Sequence, residues 1–206
     1  MAKKLNTNSN LYITIYAALM VVIVAFLLAF VSKALQKKSE ANVAIDKKAQ
    51  ILASLNLRNI DKNQVEAKYA EVVLKEDVSG NTPIYICKVE GQTKYVVPVS
   101  GMGLWGGIWG YIGVNEDRNT VYGAYFSHQS ETAGLGALIA DQPFQDQFKG
   151  KKIFGDDGEV ALSVVKVGKK VDGLSDDSRC DAITGATLTS DGVDLMLKDC
   201  LKRIKE

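Results

Sequence analysis

The sequence predicts an α+β fold: one N-terminal transmembrane helix, then a single soluble domain with an antiparallel sheet and flanking helices. Three observations lead there. Leu11–Val31 holds no charged residue. Between residues 83 and 127, β-branched and aromatic runs alternate with turn-like stretches. The last segment spaces its apolar residues at helical intervals.

The uncharged run is 21 residues long. As a helix it spans about 31 Å, the thickness of a hydrocarbon core. Tyr12 and Tyr16 suit a membrane interface. A cleaved signal peptide has a shorter apolar region with a small-x-small site after it; SKALQKK follows here, so an uncleaved anchor is expected. Lys3 and Lys4 precede the run; Lys33, Lys37 and Lys38 follow it. By the lysine count, the C-terminal side is cytoplasmic by a margin of one charge.

Val43, Ile45, Ala49, Ile51, Leu52 and Leu55 then predict an amphipathic helix over Asn42–Leu55. Asn59–Val78 reads as partly helical. Pro83–Val89 and Lys94–Ser100 form one expected hairpin, and Trp109–Asn115 with Thr120–Ser127 another. KKIF at 151–154 and Glu159–Val167 add strand. Val193, Met196, Leu197, Cys200, Leu201 and Ile204 mark the core face of the final helix, with Ser190 as its expected N-cap.

Composition narrows the function. Apolar residues make up 47% of the 206, enough to fold. The 25 basic and 24 acidic residues leave no excess to neutralise phosphates, so nucleic acid is not an expected partner. One His and three Cys do not supply an ordinary zinc site together with a catalytic triad, and no metal site is expected. Cys87, Cys180 and Cys200 form no C-x-x-C pair and read as buried thiols, with one disulfide as the lesser alternative.

Three glycine-containing stretches carry the chemistry. Ser100–Tyr111 (SGMGLWGGIWGY) sets Leu104, Trp105 and Gly106 in a setting where backbone can approach a ligand, or else forms a tight turn. His128–Gly136 (HQSETAGLG) supplies Glu131, Thr132, Gly134, Leu135 and Gly136, or else a surface loop; His128 alone is weak support for acid–base chemistry. Asp181–Ser190 (DAITGATLTS) places hydroxyls and free N–H groups at a helix start, a good phosphate site, or simply a capped helix.

The third stretch resembles the attachment motif of proteins that carry flavin mononucleotide as a phosphoester on threonine. That motif runs Asp, two residues, Ser or Thr, Gly, Ala, Thr; here it is Asp181, Ala182, Ile183, Thr184, Gly185, Ala186, Thr187. With GMGLWGGIWGYI, ETAGLG and the N-terminal span, the chain resembles, over almost its whole length, the C-subunit family of the sodium-translocating NADH:quinone oxidoreductases. The family often has Pro where Ala133 stands and Gly where Ala182 stands.

The resemblance implies that Thr187 bears covalent FMN. Thr184, Gly185, Ala186, Leu188, Thr189 and Asp181 flank it. Leu104, Trp105, Gly106, Glu131, Thr132, Gly134, Leu135 and Gly136 contact or wall the flavin. Thr189 is the second candidate acceptor, and no residue is assigned a catalytic role. The implied division is a cytoplasmic N-terminus at 1–10, a transmembrane helix at 11–31, a helical stalk and start of the soluble domain at 32–82, and an FMN-binding domain at 83–206. Implied too is an electron carrier in a six-subunit complex, with an iron–sulfur centre in membrane subunits on one side and an FMN-bearing B subunit on the other. That complex couples NADH oxidation and ubiquinone or menaquinone reduction to Na+ export. A flavin transferase using FAD and magnesium attaches the FMN. The domain faces the periplasm from a single-pass span in the bacterial inner membrane, against the lysine count. The chain shows no G-x-G-x-x-G nicotinamide fingerprint in the required context and no acidic residue in its span to carry sodium. Three alternatives stay open: the G subunit of the Rnf electron-transport complex, a periplasmic flavin reductase, and a membrane-tethered domain without redox chemistry.

Overall fold

The computed structural model describes Thr7 and residues 9–78 and 83–205. Lys3 and Lys4, and with them most of the expected cytoplasmic N-terminus, lie outside the described residues. The chain divides into two compact units, Met1–Ala44 and Ile45–Glu206.

The first unit is helical. Helix α1 spans Asn10–Ser54, 45 residues without a break, so the span and the expected amphipathic helix are one element. Its most apolar 18-residue window has a mean hydropathy of 2.8, and none of that window is buried. A soluble core helix would cover such a surface with protein.

The second unit begins within α1. Ile51, Leu52 and Leu55 are buried there, and Asn56 in the left-handed region, at φ 60°, stops the helix. The Asn56 Nδ2 donates to the Tyr122 carbonyl at 2.8 Å, which fastens this end to the sheet. Helix α2 (Lys62–Val72) leads directly into strand β1 (Val73–Asp77). The stretch expected to be partly helical is helix over its middle and strand over its last part. Its register against the next strand shows why: Val73, Lys75, Glu76 and Asp77 pair with Cys87, Ile86, Tyr85 and Ile84. A cross-strand partner overrides weak local helix preference.

Strands β2 (Ile84–Val89), β3 (Gln92–Met102), β4 (Gly107–Val114) and β5 (Val121–His128) follow as two hairpins, as the sequence predicts. The five strands form an antiparallel meander in the order β1-β2-β3-β4-β5. A short helix α3 (Gln142–Asp146) comes next. KKIF contributes only isolated bridges, Thr120 to Lys152 and Phe154 to Val160. From the expected strand at 159–167, Ser163–Val165 alone forms β6, and it pairs in parallel with β7 (Arg179–Asp181). Helix α4 (Thr187–Leu201) closes the domain.

The sheet is covered on both faces. On one, Val97, Ile108, Ile112 and Phe126 pack with Val193, Met196, Leu197 and Leu201 of α4 and with Phe144 and Phe148. Phe126 and Phe148 meet edge to face at 5.0 Å. On the other, Ile51, Leu52 and Leu55 pack with Val65, Val72, Tyr85 and Tyr111. The predicted core face of the final helix is buried at every position, with Ile204 in the 3-10 turn Lys202–Lys205 that follows α4.

All three cysteines are free and buried, as small apolar residues. Burial pushes the Cys87 and Cys180 thiols up to about 12. Native protein at pH 8 will therefore label slowly with a thiol reagent at all three positions and fully once unfolded in urea. Fast labelling of any thiol in the native state contradicts this packing.

Candidate functional site

The three glycine-containing stretches meet at one carboxylate. The turn between β3 and β4 carries Leu104, Trp105 and Gly106, and it closes through the Gly103 N–H to the Gly106 carbonyl at 2.9 Å. The Trp105 N–H donates to Glu131 Oε1 at 2.8 Å. The Thr189 hydroxyl donates to Glu131 Oε2 at 2.6 Å. Glu131 is 7% exposed and Thr189 is 1% exposed, so this bond is sealed from water. The Ser130 hydroxyl adds a bond to the Trp105 carbonyl at 3.0 Å, and the Glu131 N–H donates to His128 Nδ1 at 3.2 Å. His128 thus orders the loop that carries Glu131.

The loop from Glu131 to Gly136 is shaped to reach α4. The Thr132 carbonyl accepts from the Leu135 and Ala137 N–H groups, both at 3.1 Å. Gly136 lies against the Glu131–Thr189 bond. A Cβ at this position would sit 2.5 Å from both Glu131 Oε2 and Thr189 Oγ1, so a side chain would break the bond apart. Gly185 sits in the left-handed region at φ 82°, and the Leu135 side chain comes within 3.1 Å of where its Cβ would stand.

Helix α4 begins at Thr187, with Ala186 at the N-cap position and no side-chain cap. The expected capping role of Ser190 is thereby corrected. Ser190 is buried inside the first turn, where its hydroxyl accepts from the Ile183 N–H at 3.1 Å and fastens the preceding loop. The inward positions Ala186, Thr189, Ser190 and Val193 follow helical spacing. Thr187 stands two residues before Thr189, roughly 200° around the axis, and is exposed. Thr184, Gly185 and Thr132 are exposed too. Leu104, Leu135, Leu188 and Trp105, the last 66% exposed, leave large apolar side chains uncovered.

Asp181 is set apart from the Glu131 network. It lies on β7 with its carboxylate 3.6 Å from Arg179, and its N–H donates to Gln147 Oε1 at 2.8 Å. A groove of about 660 Å³ between the end of α1 and α3, lined by Gln50, Arg58, Tyr125 and Asp141 among others, includes none of the residues expected at the site. Sequence reading places Glu131 among the flavin contacts without its role as the tie. The signal is present: one acidic residue inside a glycine-rich loop whose partners are also glycine-rich.

Burial pulls the Glu131 carboxyl upward, but hydrogen bonds from the Thr189 hydroxyl and from the Trp105 and Gly106 N–H groups outweigh it and hold the group below its ordinary 4.5. A carboxyl depressed on folding stabilises the fold above its unfolded value and loses that contribution as pH falls through the folded value. Urea unfolding of Glu131→Gln will show a weaker loss of stability than wild type as pH falls below about 4.5, with lower stability than wild type at pH 7. Parallel profiles for the two proteins would contradict an ionised Glu131.

Comparison with known proteins shows the family to which this fold belongs. Residues 103–202 match the FMN-binding domain family. The chain is 40% identical over 174 residues to the C subunit of the Na(+)-translocating NADH-quinone reductase of Haemophilus ducreyi, an alignment covering 82% of this chain and 57% of that protein. It is 45% identical over 111 residues to the protein of the same name from Chlamydia pneumoniae, with 48% of this chain and 34% of that one covered. It thus spans little more than half the length of the first of these relatives, and a third of the second. The crystal structure of the C subunit from Parabacteroides distasonis superposes with a TM-score of 0.74 at 40% identity, over 81% of this chain and 93% of that one. With this fold, an FMN-binding domain over the three meeting stretches and that degree of identity, the chain belongs to the C-subunit family of the Na+-translocating NADH-quinone reductases.

Proposed function

We propose that this chain is a membrane-anchored electron carrier of a sodium-translocating NADH:quinone reductase, with FMN held as a phosphoester on Thr187. The observation that carries this reading is the exposed Thr187 hydroxyl at the first position of an uncapped helix, in a domain that leaves Leu104, Trp105, Leu135 and Leu188 uncovered.

These residues suit the nucleotide at both ends. The free N–H groups at the start of α4 favour a phosphodiester, by typically about 0.3–1 kcal/mol at an exposed helix terminus. That is too little to retain a cofactor, so retention falls to the covalent bond. Thr184, Gly185, Ala186 and Leu188 border the attachment point, and Gly106, Thr132, Gly134 and Gly136 shape the adjoining turn and loop. Thr187 is the acceptor in preference to Thr189, because the Thr189 hydroxyl is buried and committed to Glu131. In attachment the Thr187 hydroxyl gives up its proton and its oxygen bonds to the flavin-side phosphorus of FAD. The pyrophosphate bond breaks and AMP leaves. A separate flavin transferase, using magnesium, supplies the catalysis.

Bound FMN supplies one-electron chemistry between partner centres: an iron–sulfur centre of the membrane subunits and the FMN of the B subunit, on the path from NADH to quinone that drives Na+ export. This chain's own part is to hold the flavin at the end of its sheet while α1 anchors it. Leu11–Val31 contains no ionisable group apart from its two tyrosines, so the sodium path belongs to partner subunits. The soluble domain faces the periplasm.

Denatured protein co-expressed with a flavin transferase will carry the mass of FMN less one water and fluoresce in a gel. Thr187→Ala will lose both signals, and Thr187→Ser will keep part of the loading through its hydroxyl. Flavin that survives denaturation in Thr187→Ala moves the linkage to another residue. A colourless wild-type chain removes the carrier reading altogether.

Protease added to intact spheroplasts will clip the soluble domain. Full protection there, with cleavage after lysis, places the domain in the cytoplasm.

A further inference from the structure

The site described so far contains a residue that no attachment chemistry requires. A flavin phosphoester needs an accessible hydroxyl, and Thr187 provides it; a buried carboxylate 7% exposed contributes nothing to that bond. Yet Glu131 takes up both of its oxygens on two other elements. We propose that Glu131 is a positioning residue for attachment: by holding the Thr189 hydroxyl and the Trp105 N–H together, it fixes the first turn of α4 against the β3–β4 turn, so that Thr187 is aimed outward before any nucleotide arrives. This inference rests on the reading that Thr187 bears the flavin.

Helix geometry supplies the mechanism. Residues 187 and 189 lie roughly 200° apart around the axis, so drawing 189 inward drives 187 outward. Ser190, one position further on, is fastened to the Ile183 N–H and resists rotation about the same axis. Gly136 keeps open the space in which the Glu131–Thr189 bond forms. An ionised carboxylate only accepts, and here every partner donates, so the charge sits with no repelled neighbour. Without the Thr189 bond, the first turn of a helix with no side-chain cap has one restraint fewer and is free to fray or turn.

The test measures the initial rate of flavin transfer from FAD onto the full-length chain in detergent, with purified flavin transferase and magnesium. Every variant is first shown to be folded by circular dichroism and gel filtration. Thr189→Val keeps the shape and deletes the donor; it will load about tenfold or more slowly, as a displaced reacting group does. Thr189→Ser restores the hydroxyl and will load at close to the wild-type rate. Glu131→Ala will be as slow as Thr189→Val. Glu131→Gln will load nearly normally, since its amide oxygen still accepts from Trp105 and the Thr189 hydroxyl turns to accept from its NH2. Leu52→Ala, on the opposite face of the sheet, loses stability from core packing and will load normally. Wild-type loading by Thr189→Val overturns the inference alone. So does slow loading by Leu52→Ala, which would show that rate merely follows stability. If Thr189→Val does not fold, Glu131→Gln against Glu131→Ala decides by the same comparison. A wild-type chain that takes no flavin overturns the Thr187 reading, and this inference with it.

Discussion

A carboxylate buried at the edge of the sheet accepts from stretches of chain that lie far apart in sequence. Glu131 takes the Trp105 N–H on one oxygen and the Thr189 hydroxyl on the other, across 26 and 58 residues. Breaking such an arrangement from one side leaves a charge buried without its partners, which costs more than the net worth of the bonds. The glycines around it follow from the same need. A side chain at Gly103 or Gly136 would occupy the space of the carboxylate or the hydroxyl. The glycine richness of these segments is therefore a packing requirement before it is a ligand-binding feature.

That tie has a use only because the sheet gives it a rigid frame. The β3–β4 turn is the end of two long paired strands, and the Glu131 loop leaves the end of β5, the neighbour of β4. Helix α4 lies across β3 through Met196, whose Cβ stands 2.9 Å from where a Cβ on Gly101 would be. Each of the three segments is thus anchored in packed core before it reaches the site. The hydrophobic effect supplies most of the stability; the buried polar bonds choose one arrangement among those the core would tolerate.

The energetics also separate holding from aiming. A helix terminus and a few exposed apolar side chains bind a nucleotide weakly, and a carrier that cycles many times needs its cofactor to stay. In the function proposed above a phosphoester meets that need, and it asks of the fold one accessible hydroxyl in a defined direction. Among the hydroxyls close to the helix start, Ser190 and Thr189 face inward with partners, while Thr187 and Thr184 face solvent. The selection is made by which face of α4 is buried.

Much of this is legible in the chain of residues alone. The 21-residue uncharged run, both hairpins and the core face of α4 are strong local patterns, because their periodicity is written in consecutive residues. The motif at Asp181–Thr187 likewise lies in one stretch. Other features depend on residues distant in the chain. Strand β1 forms because β2 offers it an edge, and β6 and β7 pair across 13 intervening residues. Ser190 reads as a cap from local sequence, yet it is turned inward because Ile183 offers it a donor. Local sequence determines period and propensity, and so which face of α4 is buried; which donors meet which acceptors, as where Glu131 comes between the turn and the helix to accept from Trp105 and Thr189, was decided only by the tertiary structure, because those partners are far apart in the chain.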